Sequence, residues 1–223
     1  HPAPGLERRS GFLTPSFTSQ SDFGAGIRTP YHFALASNYD LTLAPSFTGK
    51  EGVILDGTWR HLTRHGRYNL DFYAHQPEGT LDTADGEHDF RGGLIGSGTF
   101  NTRGWQTSFS INEPSDDLFF RRYQINNADV LTNRIDLSRY YGSDYLNINA
   151  RQFRSTLSNE TTDTVDFILP DVTYIKHFED APLDGQMQLV NRVSHSARDL
   201  GVDVTKASTR LDWSYRYISD AGF

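Results

Sequence analysis

The sequence predicts an all-β protein and, within that class, an antiparallel transmembrane β-barrel. Apolar and polar residues alternate with a period of two in many successive runs of the chain. Several runs exceed the roughly five or six residues common in globular strands and approach the roughly 9–11 that cross a bilayer at a tilt. The connections alternate between tight turns and long polar loops, as they do in outer-membrane barrels.

The first strand-like segment, residues 10–47, contains prolines at regular intervals, at Pro15, Pro30 and Pro45. Proline has no N–H to donate to a strand ladder, so sheets usually confine it to edges, strand starts and bulges. The three residues therefore mark strand starts or turns, or they mark positions where the pairing between strands is weak.

From residue 39 onward, each strand-like run has one apolar face and one strongly polar face. The clearest runs are 39–48, 53–60, 68–75, 105–111, 131–138 and 211–217. Charged side chains on the polar faces would line the wet lumen of a barrel. These lumen-facing candidates are Asp56, Arg60, Asp71, Arg134 and Asp136.

Turn signals separate the runs. Tight turns are predicted at 48–52, 64–66 and 101–104, and longer polar loops at 76–89 and 112–129. About ten strands fit into this length at the usual hairpin spacing. Aromatic residues lie near the ends of runs, as in the interfacial girdle of a membrane barrel. A soluble β-sandwich would produce the same alternation, so that architecture stays open as an alternative.

The composition excludes several functional classes. Aromatic residues make up 13% of the chain, which is not the composition of a disordered protein. The formal net charge of −7 argues against a general nucleic-acid binder. The absence of cysteine excludes disulfides and thiolate metal sites within the chain. No apolar run reaches the roughly 20 residues that a membrane helix needs.

Catalytic and metal-binding motifs are not recognisable, so we expect no enzyme, no metal and no cofactor. His61 and His65 lie in a strand-to-turn context, where they read as polar residues of a lumen or turn and not as ligands. The acidic loop with Asp82, Asp85, Glu87 and Asp89 lacks the spacing of an EF-hand. The glycine-rich segment 92–96 lacks the lysine and helix of a phosphate loop, and we expect close approach of bulky neighbours there.

Four segments resemble the start of the barrel domain of the LptD family of lipopolysaccharide-assembly proteins. The segments are SGFLTPSF (10–17), TPYHFALA (29–36), NYDLTLAP (38–45) and GVILDGTWRHLTR (52–64). The chain departs from the family pattern at His61, where an aromatic residue is usual, and at Ala36-Ser37-Asn38, where Ala-Pro-Asn is frequent. Beyond about residue 73 the resemblance thins into generic barrel strands.

The resemblance implies a domain organisation. Residues 1–10 would lead in from a periplasmic jellyroll domain that lies outside this chain. Residues 11–223 would form the N-terminal portion of an outer-membrane barrel of roughly two dozen strands, near the upper end of the known range. The terminal Phe223 keeps a small complete barrel open as an alternative.

The resemblance also implies a function. In a Gram-negative outer membrane, the protein would insert lipopolysaccharide into the outer leaflet through a lateral gate between the first and last strands. Pro15 and Pro30 would weaken that gate, whereas Pro45 stays open between a gate role and a strand start. The implied partners are an LptE-like plug lipoprotein, a periplasmic bridge protein bound through the jellyroll, lipopolysaccharide and outer-membrane lipid. The alternatives are a porin- or receptor-type barrel and a soluble carbohydrate-binding sandwich.

Overall fold

A computed structural model describes residues 8–20, 23–76, 81–83, 86–88, 90–157, 167–198 and 201–216. Most of these residues form antiparallel strands, and the predicted all-β fold class is confirmed. The described helical segments are the short helix α1 (Phe119–Arg122) and a 3₁₀ turn at Pro182–Asp184. Among the described residues, no helix has the length and hydropathy of a membrane span.

Sixteen strands are present in the described residues. In chain order they are β1 (Gly11–Phe12), β2 (Ser16–Gln20), β3 (Gly24–Arg28), β4 (Tyr31–Phe33), β5 (Tyr39–Thr48), β6 (Gly52–Thr63), β7 (Gly66–His75), β8 (Leu81–Thr83), β9 (Gly86–His88), β10 (Arg91–Thr102), β11 (Trp105–Pro114), β12 (Val130–Tyr141), β13 (Asp144–Ser155), β14 (Phe167–Phe178), β15 (Gln186–Ala197) and β16 (Val204–Ser214).

Fourteen of these strands form one antiparallel sheet, and β8 pairs with β9 in a separate hairpin. The main path through the sheet is β1, β4, β5, β6, β7 and then β10 to β16, with β2 joined to β3 and β3 to β5. The strand number exceeds the predicted ten partly because the first two long strands are each divided in two. In the described part of the chain, β1 and β2 lie at one edge of the sheet and β16 at the other.

The two faces of the sheet have the polarity that the alternation predicts. Directly paired residues share a face, so the register carries one face across neighbouring strands. Asp40 pairs with Arg60, which pairs with Asn69, along the polar face. One residue away, Leu41 pairs with Trp59 on the apolar face.

Large side chains of the apolar face are exposed, whereas a soluble sandwich would bury them against a second sheet. Exposed apolar residues of the sheet include Phe47, Val53, Ile135, Val193 and Leu211.

A strand glycine lets an aromatic ring lie flat on the apolar face. Gly57 in β6 pairs with Phe72 in β7, and a Cβ at this glycine would lie 2.2 Å from the Phe72 ring. Real Cβ atoms do not approach a ring so closely, so a larger residue would displace Phe72. Packing of this kind also explains the glycine-rich segment in β10, where a Cβ on Gly96 would lie 2.6 Å from Leu70.

A buried apolar cluster lies at the end of the sheet from which the longer loops extend. It contains Phe119, Phe120 and Leu131, with Tyr73 and Ile95 packed against it. Tyr73 and Ile95 belong to the polar face of the sheet. Tyr73 lies two residues from Asp71 in β7, and Ile95 of β10 stands directly opposite Asp71. The loop between β11 and β12 therefore folds back over the polar face and covers part of it.

Candidate functional site

The first two long strands of the sheet are interrupted at their prolines. β1 pairs with β4 and β2 pairs with β3, but the register shifts by one residue between these two ladders. Thr14 and Pro15 stand opposite the single residue Thr29, which makes this position a β-bulge. Pro15 and Pro30 directly precede β2 and β4, so they also occupy strand-start positions. We call the interrupted region, residues 11–48, the proline seam.

Two ladder positions in the proline seam have lost half of their hydrogen bonds. The Leu13 N–H donates to the Pro30 carbonyl at 2.9 Å, and Pro30 has no N–H to return the bond. One strand further, the Thr29 N–H donates to the Pro45 carbonyl at 3.0 Å, and Pro45 likewise returns none. Pro45 therefore belongs to the same band of missing donors, and its place inside β5 excludes a strand start.

The next interface is continuous. β5 and β6 pair over ten consecutive positions, from Tyr39 opposite His61 to Thr48 opposite Gly52. Each missing bond in the proline seam forfeits about 0.5–1.5 kcal/mol of net stabilisation. The two interfaces next to the edge formed by β1 and β2 are thus weaker than the β5–β6 interface that follows them.

Ion pairs on the polar face tie the proline seam to the following strands. Arg28 of β3 makes two hydrogen bonds to Asp56 of β6, with Nε to Oδ2 at 3.0 Å and Nη2 to Oδ1 at 2.5 Å. The strand between them contributes Ala44, which is fully buried and pairs with Asp56. Arg60 Nε donates to Asp40 Oδ1 at 2.8 Å.

The five predicted lumen-facing residues lie on one face but form two groups. Asp71 accepts a 2.6 Å hydrogen bond from Thr58 and so lies beside Asp56 and Arg60. Arg134 and Asp136 are both on β12, where Arg134 Nη2 lies 2.5 Å from Asp136 Oδ1. Sequence reasoning missed the partners Arg28 and Asp40, although both are charged residues at polar-face positions of their strands.

The interpretation of His61 as a polar lumen or turn residue is wrong. Its position opposite Tyr39 and Tyr68 places it on the apolar face. There it packs against Tyr39 and Trp59, and its Nδ1 lies 3.1 Å from the Tyr68 hydroxyl. The ring thus occupies an aromatic position, as the family pattern at this residue implies.

Some residues that the sequence singled out cannot be placed. Residues 1–7, Asp85, Asp89 and residues 217–223 lie outside the described residues. The described residues contain no group of three or more histidine or acidic side chains arranged to hold a metal ion.

The loop of residues 115–129, which we call the inner loop, packs on the polar face through aromatic residues. Phe119 and Phe120 are fully buried. The Phe120 ring lies over Gly93 of β10, where a Cβ would lie 2.2 Å from the ring. Gly93 is opposite Tyr73, so the ring covers the polar face of the sheet and not its apolar face. A glycine at this position makes room for the inner loop.

A buried ion pair anchors the inner loop to β10. Arg91 Nε and Nη2 donate to the two oxygens of Asp116 at 2.8 and 2.7 Å, and neither residue is more than 1% exposed. The Arg91 guanidinium also lies over the rings of Phe119 and Tyr123, 5.5 and 5.6 Å from their centroids. Burial alone would raise the pKa of the Asp116 carboxyl, but the hydrogen bonds and charge of Arg91 hold it below its usual value.

The inner loop also contacts the connection between β2 and β3 and the turn between β5 and β6, which lie at the same end of the sheet. The Tyr123 ring stacks on Phe23, which precedes β3, with centroids 5.4 Å apart. The Tyr123 hydroxyl donates to Glu51 in the β5–β6 turn at 3.1 Å, and Arg122 pairs with the other oxygen of that carboxylate. His75 Nδ1 faces the Val53 carbonyl at 3.1 Å, and its Nε2 lies 3.2 Å from Glu51.

These contacts shift the acidities of the loop groups. Burial and the nearby Glu51 charge raise the pKa of Tyr123 to about 12, so its hydroxyl remains a donor at neutral pH. Burial opposes ionisation of Glu51, but the hydrogen bond and charge of Arg122 and the Tyr123 hydrogen bond outweigh it and lower the pKa of this carboxyl. The three side chains form a charge-assisted link between the inner loop and the proline seam.

Comparison with known proteins places these features in a family. A family model described as LPS transport system D (LptD) matches residues 89–223. The LPS-assembly protein LptD of Francisella tularensis subsp. tularensis (strain FSC 198) is 34% identical over 145 residues, covering 63% of this chain and 15% of that protein. The LPS-assembly protein LptD of Pseudomonas aeruginosa (strain UCBPP-PA14) is 31% identical over 186 residues, covering 75% of the chain and 18% of that protein.

A shorter match with higher identity is to the LPS-assembly protein LptD of Pseudomonas aeruginosa (strain LESB58). It is 47% identical over 77 residues, covering 34% of the chain and 7% of that protein. The chain thus spans less than a fifth of the length of each of these relatives.

Proposed function

The chain belongs to the LptD family, and we propose that it forms the wall beside a lateral gate through which lipopolysaccharide enters the outer leaflet of a Gram-negative outer membrane. The observation that carries this proposal is the band of three prolines across the first three long strands. A lateral exit needs an edge whose pairing is weaker than that of its neighbours. The proline seam has this property, and the continuous β5–β6 ladder marks where it ends.

The two faces of the sheet support a membrane position. The apolar face presents exposed aliphatic and aromatic side chains to the hydrocarbon region. The polar face carries the ion pairs of Arg28, Asp56 and Arg60, which suit a wet lumen. Within this proposal the lumen receives an LptE-like plug lipoprotein, and a periplasmic bridge protein delivers lipopolysaccharide through the jellyroll domain.

The gate proposal is tested by restoring the missing donors. In the complete protein that carries this chain, the triple replacement Pro15→Ala, Pro30→Ala and Pro45→Ala supplies an N–H group at the two ladder positions that lack one and a third at the bulge. We expect slower amide exchange in residues 11–48 and less lipopolysaccharide at the cell surface, measured by surface labelling. Pro182→Ala, in a turn at the opposite end of the sheet, is the matched control and should change neither quantity.

A second experiment tests the gate directly. A disulfide between the first strand, at Phe12, and the closing strand of the complete barrel should stop lipopolysaccharide export until a reductant is added. Normal export with the disulfide formed would contradict a gate at this edge. Normal export in the triple variant, together with slower exchange, would show that the prolines do not set the gate.

A further inference from the structure

A hollow of about 500 Å³ lies on the polar face between β13 and β16, far along the sheet from the proline seam. The register explains its lining. Asp171, Ser194 and Lys206 stand opposite one another in one row across β14, β15 and β16. Arg192 and Ser208 face each other in the next row. We call this feature the β13–β16 hollow.

An irregularity in β14 lies beside the hollow. The register shifts by one residue on both sides of β14, because Leu169 and Pro170 stand where a regular strand has one residue. A bulge of this kind bends the strand and redirects its neighbours, and bulges are over-represented next to functional sites. Next to this bulge, Arg151 of β13 also lines the hollow, with Nη2 3.3 Å from Asp171 Oδ2.

The hollow has an excess of positive charge. Its cationic side chains are Arg151, Arg192, Arg198 and Lys206. Among the described lining residues, Asp171 is the one carboxylate. Leaving Arg198 aside, the three cations Arg151, Arg192 and Lys206 thus surround this single carboxylate, whereas Arg28 with Asp56 and Arg134 with Asp136 form one-to-one pairs elsewhere on this face.

Asp171 holds two of these cations in place. It is 2% exposed, and its oxygens accept Arg192 Nε at 3.0 Å and Nη2 at 2.7 Å in a bidentate pair. The same carboxylate accepts Arg151 Nη2. A guanidinium has five N–H donors, so each arginine keeps donors for a ligand after binding Asp171. Among the described residues, Lys206 makes no ion pair.

We propose that the β13–β16 hollow binds the phosphoryl group of a phosphate monoester. Such a group carries nearly two negative charges and three strong acceptor oxygens. The arginine forks match its geometry, and the hydroxyls of Ser194, Ser196 and Ser208 add neutral donors. Given the proposed function, on which this last step rests, the monoester belongs to the phosphorylated sugars of lipopolysaccharide.

The site is tested by calorimetric titration of the complete protein that carries this chain, purified in detergent with its partner subunit. The probes are inorganic phosphate and glucose 1-phosphate, with glucose as the uncharged control. Lys206→Gln removes one charge without disturbing Asp171, and we expect about tenfold weaker binding of both phosphate probes, which is roughly 1.4 kcal/mol. Ser208→Ala should weaken binding to a smaller extent. Lys176→Gln, at the other end of β14, is the matched control and should bind as the wild type does.

The outcomes separate this proposal from the proposed function. Equal phosphate affinity in wild type, Lys206→Gln and Ser208→Ala would overturn the site. Carbodiimide coupling of Lys206 to an acidic side chain of the partner subunit, with no phosphate binding, would overturn it in favour of a protein contact. Weaker phosphate binding with normal lipopolysaccharide export would support the monoester site and overturn its assignment to lipopolysaccharide, and the lateral gate would stand.

Discussion

At the scale of single residues, we expect the packing of the inner loop to depend on the buried ion pair between Arg91 and Asp116. Arg91 and Asp116 lose nearly all contact with water, and their two hydrogen bonds and the rings above Arg91 replace it. A buried pair contributes little relative to apolar residues of the same volume, but removing one partner leaves an uncompensated charge. Loss of either partner should therefore disrupt the packing of the inner loop.

Replacement of Asp116 by Asn should release the inner loop. The Arg91 charge would stay buried without its counter-charge, at a cost of about 3–5 kcal/mol. Amide exchange in residues 115–129 of the complete protein should accelerate by at least a hundredfold. Asp129→Asn removes an exposed partner of Arg121 and is the control, with an expected cost of about 0–1 kcal/mol. Equal protection in both variants would show that the pair does not hold the loop.

Acidification should loosen the same loop. The folded-state pKa values of Glu51 and Asp116 lie below their usual values of 4.5 and 3.8. The stabilisation from these two carboxylates is thus complete above pH 4.5 and is lost as pH falls through their lowered folded-state values. Proteolysis of residues 115–129 should therefore be slow at pH 7 and 5 and faster below pH 4. Glu51→Gln should show a smaller acid effect, and an unchanged profile would argue against this origin.

At the scale of elements, the inner loop joins parts of the sheet that the proline seam leaves weak. Tyr123 reaches Phe23 before β3 and Glu51 after β5, so the loop spans the ends of three consecutive strands. The seam has lost ladder bonds near its middle, at Pro30 and Pro45. The missing bonds in the middle of the proline seam would let its strands bend at the prolines. The side-chain contacts of the inner loop would meanwhile keep one end of these strands in register.

Substitution of Tyr123 should separate these two effects. Tyr123→Phe removes the hydrogen bond to Glu51, worth about 1 kcal/mol, and keeps the ring stacked on Phe23. Tyr123→Ala also removes the stacking, worth about 0.5–1.5 kcal/mol beyond the buried area. Amide exchange in residues 23–28 should rise modestly in the first variant and further in the second. Tyr140 is 70% exposed and lies at the opposite end of the sheet, so Tyr140→Phe should have no effect on this exchange.

At the scale of the whole molecule, the sheet has two distinct faces and, in its described part, two open edges. The family relatives extend far beyond this chain, which spans 18% or less of each of those compared. Unpaired edge groups are costly in lipid, so further strands are expected to cover β16. Membership of the LptD family also argues against the two alternatives from the sequence, a porin-type barrel and a soluble sandwich.

The orientation of the faces predicts where a charge is tolerated. Leu137→Lys places an ammonium on the apolar face of β12 and should cost about 2–4 kcal/mol near the bilayer midplane. Ser138→Lys places the same group on the polar face one residue away and should be tolerated. The fraction of heat-modifiable, assembled protein in outer membranes measures the difference. Equal assembly of the two variants would contradict a lipid-facing apolar surface.

The sequence by itself determined which residues share a face and where most strands turn. The two-residue period of a strand is a local property, so Asp56, Arg60, Asp71, Arg134 and Asp136 could be assigned to one face without a structure. The three prolines were visible for the same reason, since a missing N–H is a property of the residue alone.

Only the tertiary structure decided which of these residues meet. Arg28 with Asp56 and Arg91 with Asp116 are 28 and 25 residues apart, and their contact depends on strand register and loop folding. The missing ladder donor at Pro45 became evident only from the hydrogen bond that its carbonyl accepts from the Thr29 N–H, and the hollow beside Asp171 only from the alignment of β13 to β16. Alternation along one strand specifies which face each side chain occupies. The partners across the sheet depend on the register of every ladder together, and no single segment of the sequence contains that information.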